Sequence, residues 1–513
     1  MVSPTMPLPP RCDAEEITRL KKQLEWANLK IVALQEQLRL ERIRKYGAKS
    51  EKLSDAQLQL LEAEPGVSVT EVEAETTREP LPPPSVPRAT ADGGKRRHPG
   101  RQTLPAGLPR VERIIACTPE QCTCTNCGRE TSVIGYEESE QLDVEPARYF
   151  VSVVRREKRA CRKCAQGVSA APVPARIVEK GLVSDAIVID TLVSKYADHL
   201  PLYRQSVILS REAGIYISRA TMDGWVMQSG GFLMPVARFI GRELLSGGYI
   251  QADETPVPVQ MHDGRGKNHK AYLWQYSRPG GSAVFDFRTG RGREGPKSFL
   301  GHYEGILQTD GYAAYDSTGG PKMVHAACWA HARRKLFDAV KLNPDDRVAT
   351  RLVARIDELF AVDAEARKAG MDETARHALR NERSRLLLKI LREELETAAR
   401  RALPSSALGK GVNYTLSLWQ KLTRFLDHPR IELSSNLAEN SMRPVVLGRK
   451  NWIHLGSEEA APKVAAILSV FETCRRLNIP VREYLADVLP RLAGTSIRRV
   501  GELTPAAWPA TRR

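Results

Sequence analysis

YIQADETP at residues 249–256 decides how this chain is read, because an apolar strand runs straight into Asp253. The same pattern returns in ILQTDGY at 306–312, which ends its apolar run on Asp310. A third acid, Glu439, stands in SNLAENSMRP at 435–444, on an expected short helix that leads into a basic, aromatic segment. Dispersed acids that a fold brings together are the pattern of two-metal phosphoryl chemistry on nucleic acid. Mg2+ takes oxygen ligands and keeps waters for substrate phosphate, so two aspartates alone leave such a site under-coordinated. A later helix is therefore expected to supply the third carboxylate. Glu439 also fits a capping box with Asn436, and Glu432 is an alternative ligand that precedes the helix. Glu254 is expected on the opposite face of the strand from Asp253.

The surrounding texture sets the fold class. Strands are expected at 248–253, 270–276 and 283–287, a helix at 296–300, and a returning strand at 305–309. Three antiparallel strands, a helix and a returning strand form the opening topology of an RNase H-like fold, with first and fourth strands side by side. The expected architecture is multidomain α+β, with an RNase H-like α/β catalytic core at 244–344 and 431–460. A helical insertion at 345–430, with helices near 351–369 and 372–401, interrupts that core, and a helical segment at 461–513 follows it. VHAACWAHARRK at 324–335 reads as a strand passing into a basic helix, where His331, Arg333 and Arg334 are candidates for DNA contact. For His331, a packing or phosphate role is favoured over metal ligation. Arg443, Arg449, Lys450 and Trp452 mix cations with an aromatic, which suits phosphate contact and base stacking; plain core packing is the alternative for Trp452.

Upstream, Ile17, Leu20, Leu24, Ala27, Ile31, Leu34 and Leu38 follow a strict heptad spacing. Residues 1–53 are read as a self-associating coiled-coil helix with a basic tail. A proline-rich linker, 54–110, ends near the basic run KRRHPGR at 95–101. Residues 111–175 hold two Cys-x-x-Cys knuckles, Cys124 with Cys127 and Cys161 with Cys164, the spacing of a zinc ribbon with a closed, structural Zn2+ site. Cys122 stands close enough to compete as a ligand. Residues 176–243 are expected to be helical, and 202–227 have the shape of a helix-turn-helix, which would bind DNA, or of a plain helical hairpin, which shares that shape. A 513-residue chain with formal charge +16 favours a polyanionic partner, and nucleic acid over a membrane, since no spanning segment is seen. The stretch 232–240 is short and carries Arg238, so it reads as core. Nine cysteines and no export signal point to the cytoplasm.

Taken in order, these elements resemble the DDE transposases of insertion-sequence group sixty-six, the TnpC type. RKYGAKSEKL at 44–53, HPGR at 98–101, the Cys knuckles, DETP at 253–256, DGY at 310–312 and CWAH at 328–331 carry the resemblance. RP at 443–444, RKNW at 449–452, FETCRRLNIP at 471–480 and YL at 484–485 extend it almost end to end. The resemblance implies that Asp253, Asp310 and Glu439 are a catalytic triad holding Mg2+ or Mn2+. It implies binding of terminal inverted repeats, cleavage at element ends, strand transfer into target DNA, and small accessory proteins as partners. Departures are the NSM at 440–442, where Arg-Ala-Leu is commoner in the family, and the extra thiol of Cys122. A non-catalytic DNA-binding regulator derived from such an enzyme is the alternative. A recombinase with a serine or tyrosine nucleophile finds no cluster of Arg and His around one tyrosine.

Overall fold

The computed structural model describes residues 174–511 apart from 180 and 262–267, with scattered positions at 19–34 and short stretches within 149–170. The chain divides into two units, and one of them, Pro83–Val154, falls almost wholly outside the described residues. The four knuckle cysteines, Cys122 and the linker also lie outside them. Of the heptad seam, Leu24, Ala27, Ile31 and Leu34 are described, and all four are helical and exposed.

A five-stranded mixed sheet forms the centre of the larger unit. Its strands are β1 (Tyr249–Val259), β2 (His269–Ser277), β3 (Ala283–Arg288), β4 (Ile306–Thr309) and β5 (Val324–Ala327), in the order β3-β2-β1-β4-β5. β1, β2 and β3 are antiparallel neighbours, whereas β4 lies parallel to β1 and β5 parallel to β4. First and fourth strands are therefore adjacent, with Tyr249 opposite Ile306 and Gln251 opposite Gln308. Every residue of β4 is buried, as expected of a parallel strand covered on both faces.

β1 runs six residues beyond Asp253, through Pro256 and Pro258, where the sequence reading stopped it at the aspartate. It pairs with β2 as far as Val259, but with β4 only as far as Gln251. Past that point its β4-side edge is open, and a proline removes no ladder donor there. The Pro258 carbonyl instead accepts from the Leu455 N–H at 2.9 Å.

Helices α1 (Asp185–Tyr196), α2 (Leu202–Ala213) and α3 (Arg219–Ser246) precede the sheet, and α4 (Glu294–Leu300) joins β3 to β4. The α2–α3 turn uses Gly214 at φ 69°, and the Ser218 hydroxyl caps α3 by accepting from the Thr221 N–H. The helix-turn-helix shape is thus present, but its second helix is 28 residues long. Leu233, Val236 and Ile240 of that helix are fully buried. Helix α3 packs on α12 (Ala461–Arg476), closely enough that a side-chain carbon on Gly230 would fall 2.8 Å from Lys463 Cβ. Ser469 Oγ and Thr473 Oγ1 of α12 accept the N–H groups of Phe285 and Ala283 at 2.8 and 3.1 Å. These hydroxyls satisfy donors that edge strand β3 would otherwise leave open. Residues expected as two separate helical regions therefore pack on each other and on the sheet.

After β5 come α5 (Trp329–Leu342), α6 (Arg347–Lys368), α7 (Glu373–Leu379), α8 (Arg385–Arg401), α9 (Ala407–Ser417), α10 (Trp419–Leu422) and α11 (Asn436–Trp452). The helix expected over 372–401 is continuous from Glu373 to Arg401 but carries a π turn, Arg380–Ser384, at which Arg380 is buried. Tyr249 and Ile306 of the sheet share one apolar cluster with Trp329, Leu352, Leu391, Trp419 and Phe425. The insertion is thus continuous with the core of the sheet. Helix α11 also corrects an expectation: it is 17 residues long and passes through Pro444, so the basic, aromatic segment lies on the same helix as Glu439. Among the described residues, no helix is long and apolar enough to cross a membrane.

Candidate active site

Asp253 lies on β1 just past the end of its pairing with β4, Asp310 directly follows β4, and Glu439 is in the first turn of α11. A buried amide network ties these three elements together. Gln308 Nε2 donates to the Glu432 carbonyl at 2.7 Å, and Gln251 Nε2 donates to the Ser434 carbonyl at 3.1 Å. The Tyr249 hydroxyl donates to Gln308 Oε1 and accepts from Gln251 Nε2 and the Glu432 N–H. The Leu433 carbonyl accepts from the Trp329 N–H at 2.8 Å, and the Ser435 N–H donates to Cys328 Sγ at 3.2 Å. Residues 432–435, which lead into α11, are thereby fixed to both aspartate-bearing strands and to the start of α5. Buried amides of this kind are high in specificity because each unmet partner carries a full desolvation penalty.

The insertion and the end of α11 add further supports. The Tyr414 hydroxyl donates to the backbone carbonyl of Asp310. Arg449 Nη1 donates to Thr255 Oγ1 at 3.1 Å and to the Pro256 carbonyl, pinning the end of α11 to β1.

The carboxylates feel one another. Burial, then the charges of Glu439, Glu254 and Asp310, push the Asp253 carboxyl up to about 7, while the Glu254 N–H donates to its Oδ1 and partly offsets them. Glu439 has both oxygens engaged by α5: Oε1 lies 2.7 Å from His331 Nε2, and Oε2 lies 3.2 Å from Arg334 Nη2. Burial disfavours its charge, but His331 and Arg334 hold the Glu439 carboxyl down at about 2. The capping-box reading of Glu439 is not realised, since Ser435 is the N-cap and the Ser434 hydroxyl accepts from the first helical N–H, that of Asn436, at 2.9 Å. Burial likewise disfavours the imidazolium of His331, yet Cys328 and Glu439 hold it above its usual range.

Among the described residues, no three His, Cys, Asp or Glu side chains form a ready metal cage. The donor set nevertheless suits a hard divalent cation: carboxylate oxygens, one of which is kept from ionising by burial and then by its acidic neighbours. To join Asp253 and Asp310, Glu439 would exchange contacts with His331 and Arg334 for the cation.

The other sequence candidates fall in several places. Arg333 is turned to α6, where its guanidinium meets the buried Asp357. Arg443 and Lys450 are exposed on α11. Trp452 is part-buried, and its Nε1 packs against Gly448, where any side-chain carbon would fall 2.6 Å away. Glu432, the alternative ligand, is held by Arg376 at 2.9 Å and by Arg367. Sequence reasoning missed Tyr249, Gln251 and Gln308. The available signal was a glutamine two residues before each aspartate, inside an otherwise apolar run.

A family model described as the Transposase IS66 family matches residues 180–463. A second, the Transposase C of IS166 homeodomain, matches 33–113 and so extends through the expected linker. A third, the zinc-finger binding domain of transposase IS66, matches 121–165 and contains Cys124, Cys127, Cys161 and Cys164. The uncharacterized protein y4qI of Sinorhizobium fredii (strain NBRC 101917 / NGR234) is 33% identical over 501 residues, covering 94% of this chain and 89% of the relative. The uncharacterized protein y4hP of the same organism is 32% identical over 508 residues, covering 93% and 89%.

Proposed function

The chain belongs to the IS66 transposase family, and we propose that it cuts DNA at the terminal inverted repeats of an insertion element and joins the cut ends to target DNA. The catalytic carboxylates in this reading are Asp253, Asp310 and Glu439, on an RNase H-like core. The strand order β3-β2-β1-β4-β5, with β1 beside β4, supports that fold. The observation that carries the triad is the Gln251–Gln308 network, which ties the two aspartate-bearing strands to residues 432–434 ahead of Glu439, 186 residues after Asp253, and sets the charges of Glu439 and Asp310 near the Asp253 carboxyl.

The reaction is in-line attack of water on a phosphodiester at each element end, freeing a 3′-hydroxyl that attacks target DNA, with no covalent protein intermediate. Divalent cations, Mg2+ or Mn2+, would activate the attacking oxygen and stabilise the leaving one when bound. The residues of this chain do the remaining work. Asp253 gives up its proton, Asp310 is held at the end of β4, and Glu439 is kept ionised by His331 and Arg334 until it exchanges those contacts. Arg443 and Lys450, exposed on the helix of Glu439, would follow the DNA backbone there, with the half-exposed Arg334 on the neighbouring α5.

Outside the core, a structural Zn2+ held by the four cysteines and the helical region 176–243 would recognise the element ends. The N-terminal heptads, whose described apolar positions are exposed, would pair subunits so that two ends are synapsed. Accessory transposition proteins complete the partners, and the cytoplasm is the compartment.

Purified chain, supplied with the neighbouring accessory proteins and DNA carrying the element ends, is expected to nick those ends only with Mg2+ or Mn2+. Asp253→Asn removes nicking and retains end binding. Binding without metal-dependent nicking in the unmutated chain would instead establish a non-catalytic regulator.

A further inference from the structure

Glu254, the second residue of the DETP stretch, has no place in the triad, yet its side chain is only 2% exposed. A carboxylate buried that deeply is retained only with partners. Arg291 supplies Nε and Nη2 to Glu254 Oε1 at 3.0 and 2.7 Å, and the Tyr315 hydroxyl donates to Oε2 at 2.9 Å. Both oxygens of Glu254 are thereby engaged by the Arg291 guanidinium and the Tyr315 hydroxyl.

Arg291 passes the connection on. Its guanidinium lies 4.1 Å from the centre of the Tyr312 ring, and the Tyr312 hydroxyl donates to the Arg291 carbonyl at 3.1 Å. The Tyr312 N–H then donates to Asp310 Oδ1 at 2.8 Å. Between Asp310 and Tyr312 stands Gly311 at φ 91°, where Leu418 leaves no room for a side chain, so only glycine fits this turn. On the other side, the Glu254 N–H donates to Asp253 Oδ1 at 2.8 Å. A continuous bracket thus runs from Asp253 through Glu254, Arg291 and Tyr312 to Asp310. It also places a further negative charge beside Asp253, a repulsion that a glutamine would avoid.

We infer that Glu254 and Arg291 are positioning residues that set the DGY turn so that Asp310 faces Asp253. The inference rests on the proposed triad. Ligands of a metal are oriented by such outer contacts, whose loss typically costs about 10–100-fold in metal affinity.

The test uses the full-length chain and three variants, Glu254→Gln, Arg291→Ala and the double variant, with Asp310→Asn as reference. Mn2+ binding is measured without DNA, and hydrogen exchange of residues 310–312 is measured without metal. Glu254→Gln and Arg291→Ala are each expected to weaken Mn2+ binding about tenfold or more and to speed exchange at Tyr312. The double variant is expected to lose no more than either single one, because both cut the same bracket. Arg291 is half-exposed, so its variant keeps the test open should Glu254→Gln fail to fold. Weakened binding in Asp310→Asn with unchanged binding and exchange in Arg291→Ala would overturn the bracket and leave the triad standing. Unchanged binding in Asp310→Asn would remove the triad on which the bracket depends.

Discussion

Gln251 and Gln308 are register partners across β1 and β4, and each stands two residues before an aspartate of the proposed triad. Their Nε2 and Oε1 atoms bond at 3.0 Å, so the strands are matched in phase immediately before Asp253 and Asp310 leave the ladder. Because the same amides also hold residues 432–434, one buried network sets the positions of all three carboxylates.

Gln308→Leu removes the donor to the Glu432 carbonyl and leaves that buried oxygen without it. It also removes the acceptor of the Tyr249 hydroxyl and of Gln251 Nε2. The expected loss in unfolding free energy is therefore at least that of a single unmet buried polar group, about 1–3 kcal/mol. Urea denaturation measures it, and DNA-end cleavage should fall while DNA binding persists, because the approach to α11 is loosened and the exposed cations are not.

His331→Ala takes away the contact at Glu439 Oε1 and leaves Arg334 as its remaining cationic partner. The Glu439 carboxyl, held at about 2 in the unmutated chain, should rise. A depressed carboxyl contributes stability above its unfolded value and loses it as pH falls toward the folded one. The unmutated chain should therefore gain stability over the variant between about pH 2 and pH 4.5, and denaturation across that range would read the difference.

Asp253 carries the opposite sign. Its carboxyl is raised to about 7, so the folded chain keeps a proton that the unfolded chain releases near pH 4. Metal-free stability should decline as pH rises from about 4 to about 7. A bound cation must displace that proton, so Mn2+ affinity should climb up to about pH 7 and then level off. Calorimetric titrations at three pH values check this, and a flat affinity would count against Asp253 as a ligand.

Asp363 is the hub of the insertion. Arg380, itself 1% exposed, approaches it at 2.7 Å, Arg376 at 2.6 Å and Arg367 at 3.2 Å. Burial opposes its charge, but Arg380 and Arg376 hold it well below the ordinary carboxylate range. Its contribution is present above the unfolded value and disappears as pH falls. Asp363→Ala strands a buried guanidinium and should cost about 3–5 kcal/mol, measurable by chemical denaturation at neutral pH.

Much of the core was legible because its signals are local. Apolar runs ending on Asp253 and Asp310, turn residues at 278–281 and the returning strand at 306–309 fix the strand sequence, and a strand followed by a helical crossover constrains the parallel return. Less legible were features decided by tertiary partners. The run of β1 on through Pro256 and Pro258 was not legible, since nothing in the sequence says which edge of a strand will be open. Pro444 argued for ending a short helix that α11 carries through. Arg380 read as part of a charged helix face until the π turn brought it to Asp363. The glutamines before each aspartate were visible, but their meaning depends on register, and register appears only once both strands are placed.

The most direct test is an anomalous-scattering map from crystals of the full-length chain grown with Mn2+. Manganese density between Asp253 and Asp310, with Glu439 turned from His331 or Arg334 toward it, is the expected result. Well-ordered Mn2+ bound elsewhere, with Glu439 still paired to both α5 side chains and no density between the two aspartates, would contradict the acidic triad.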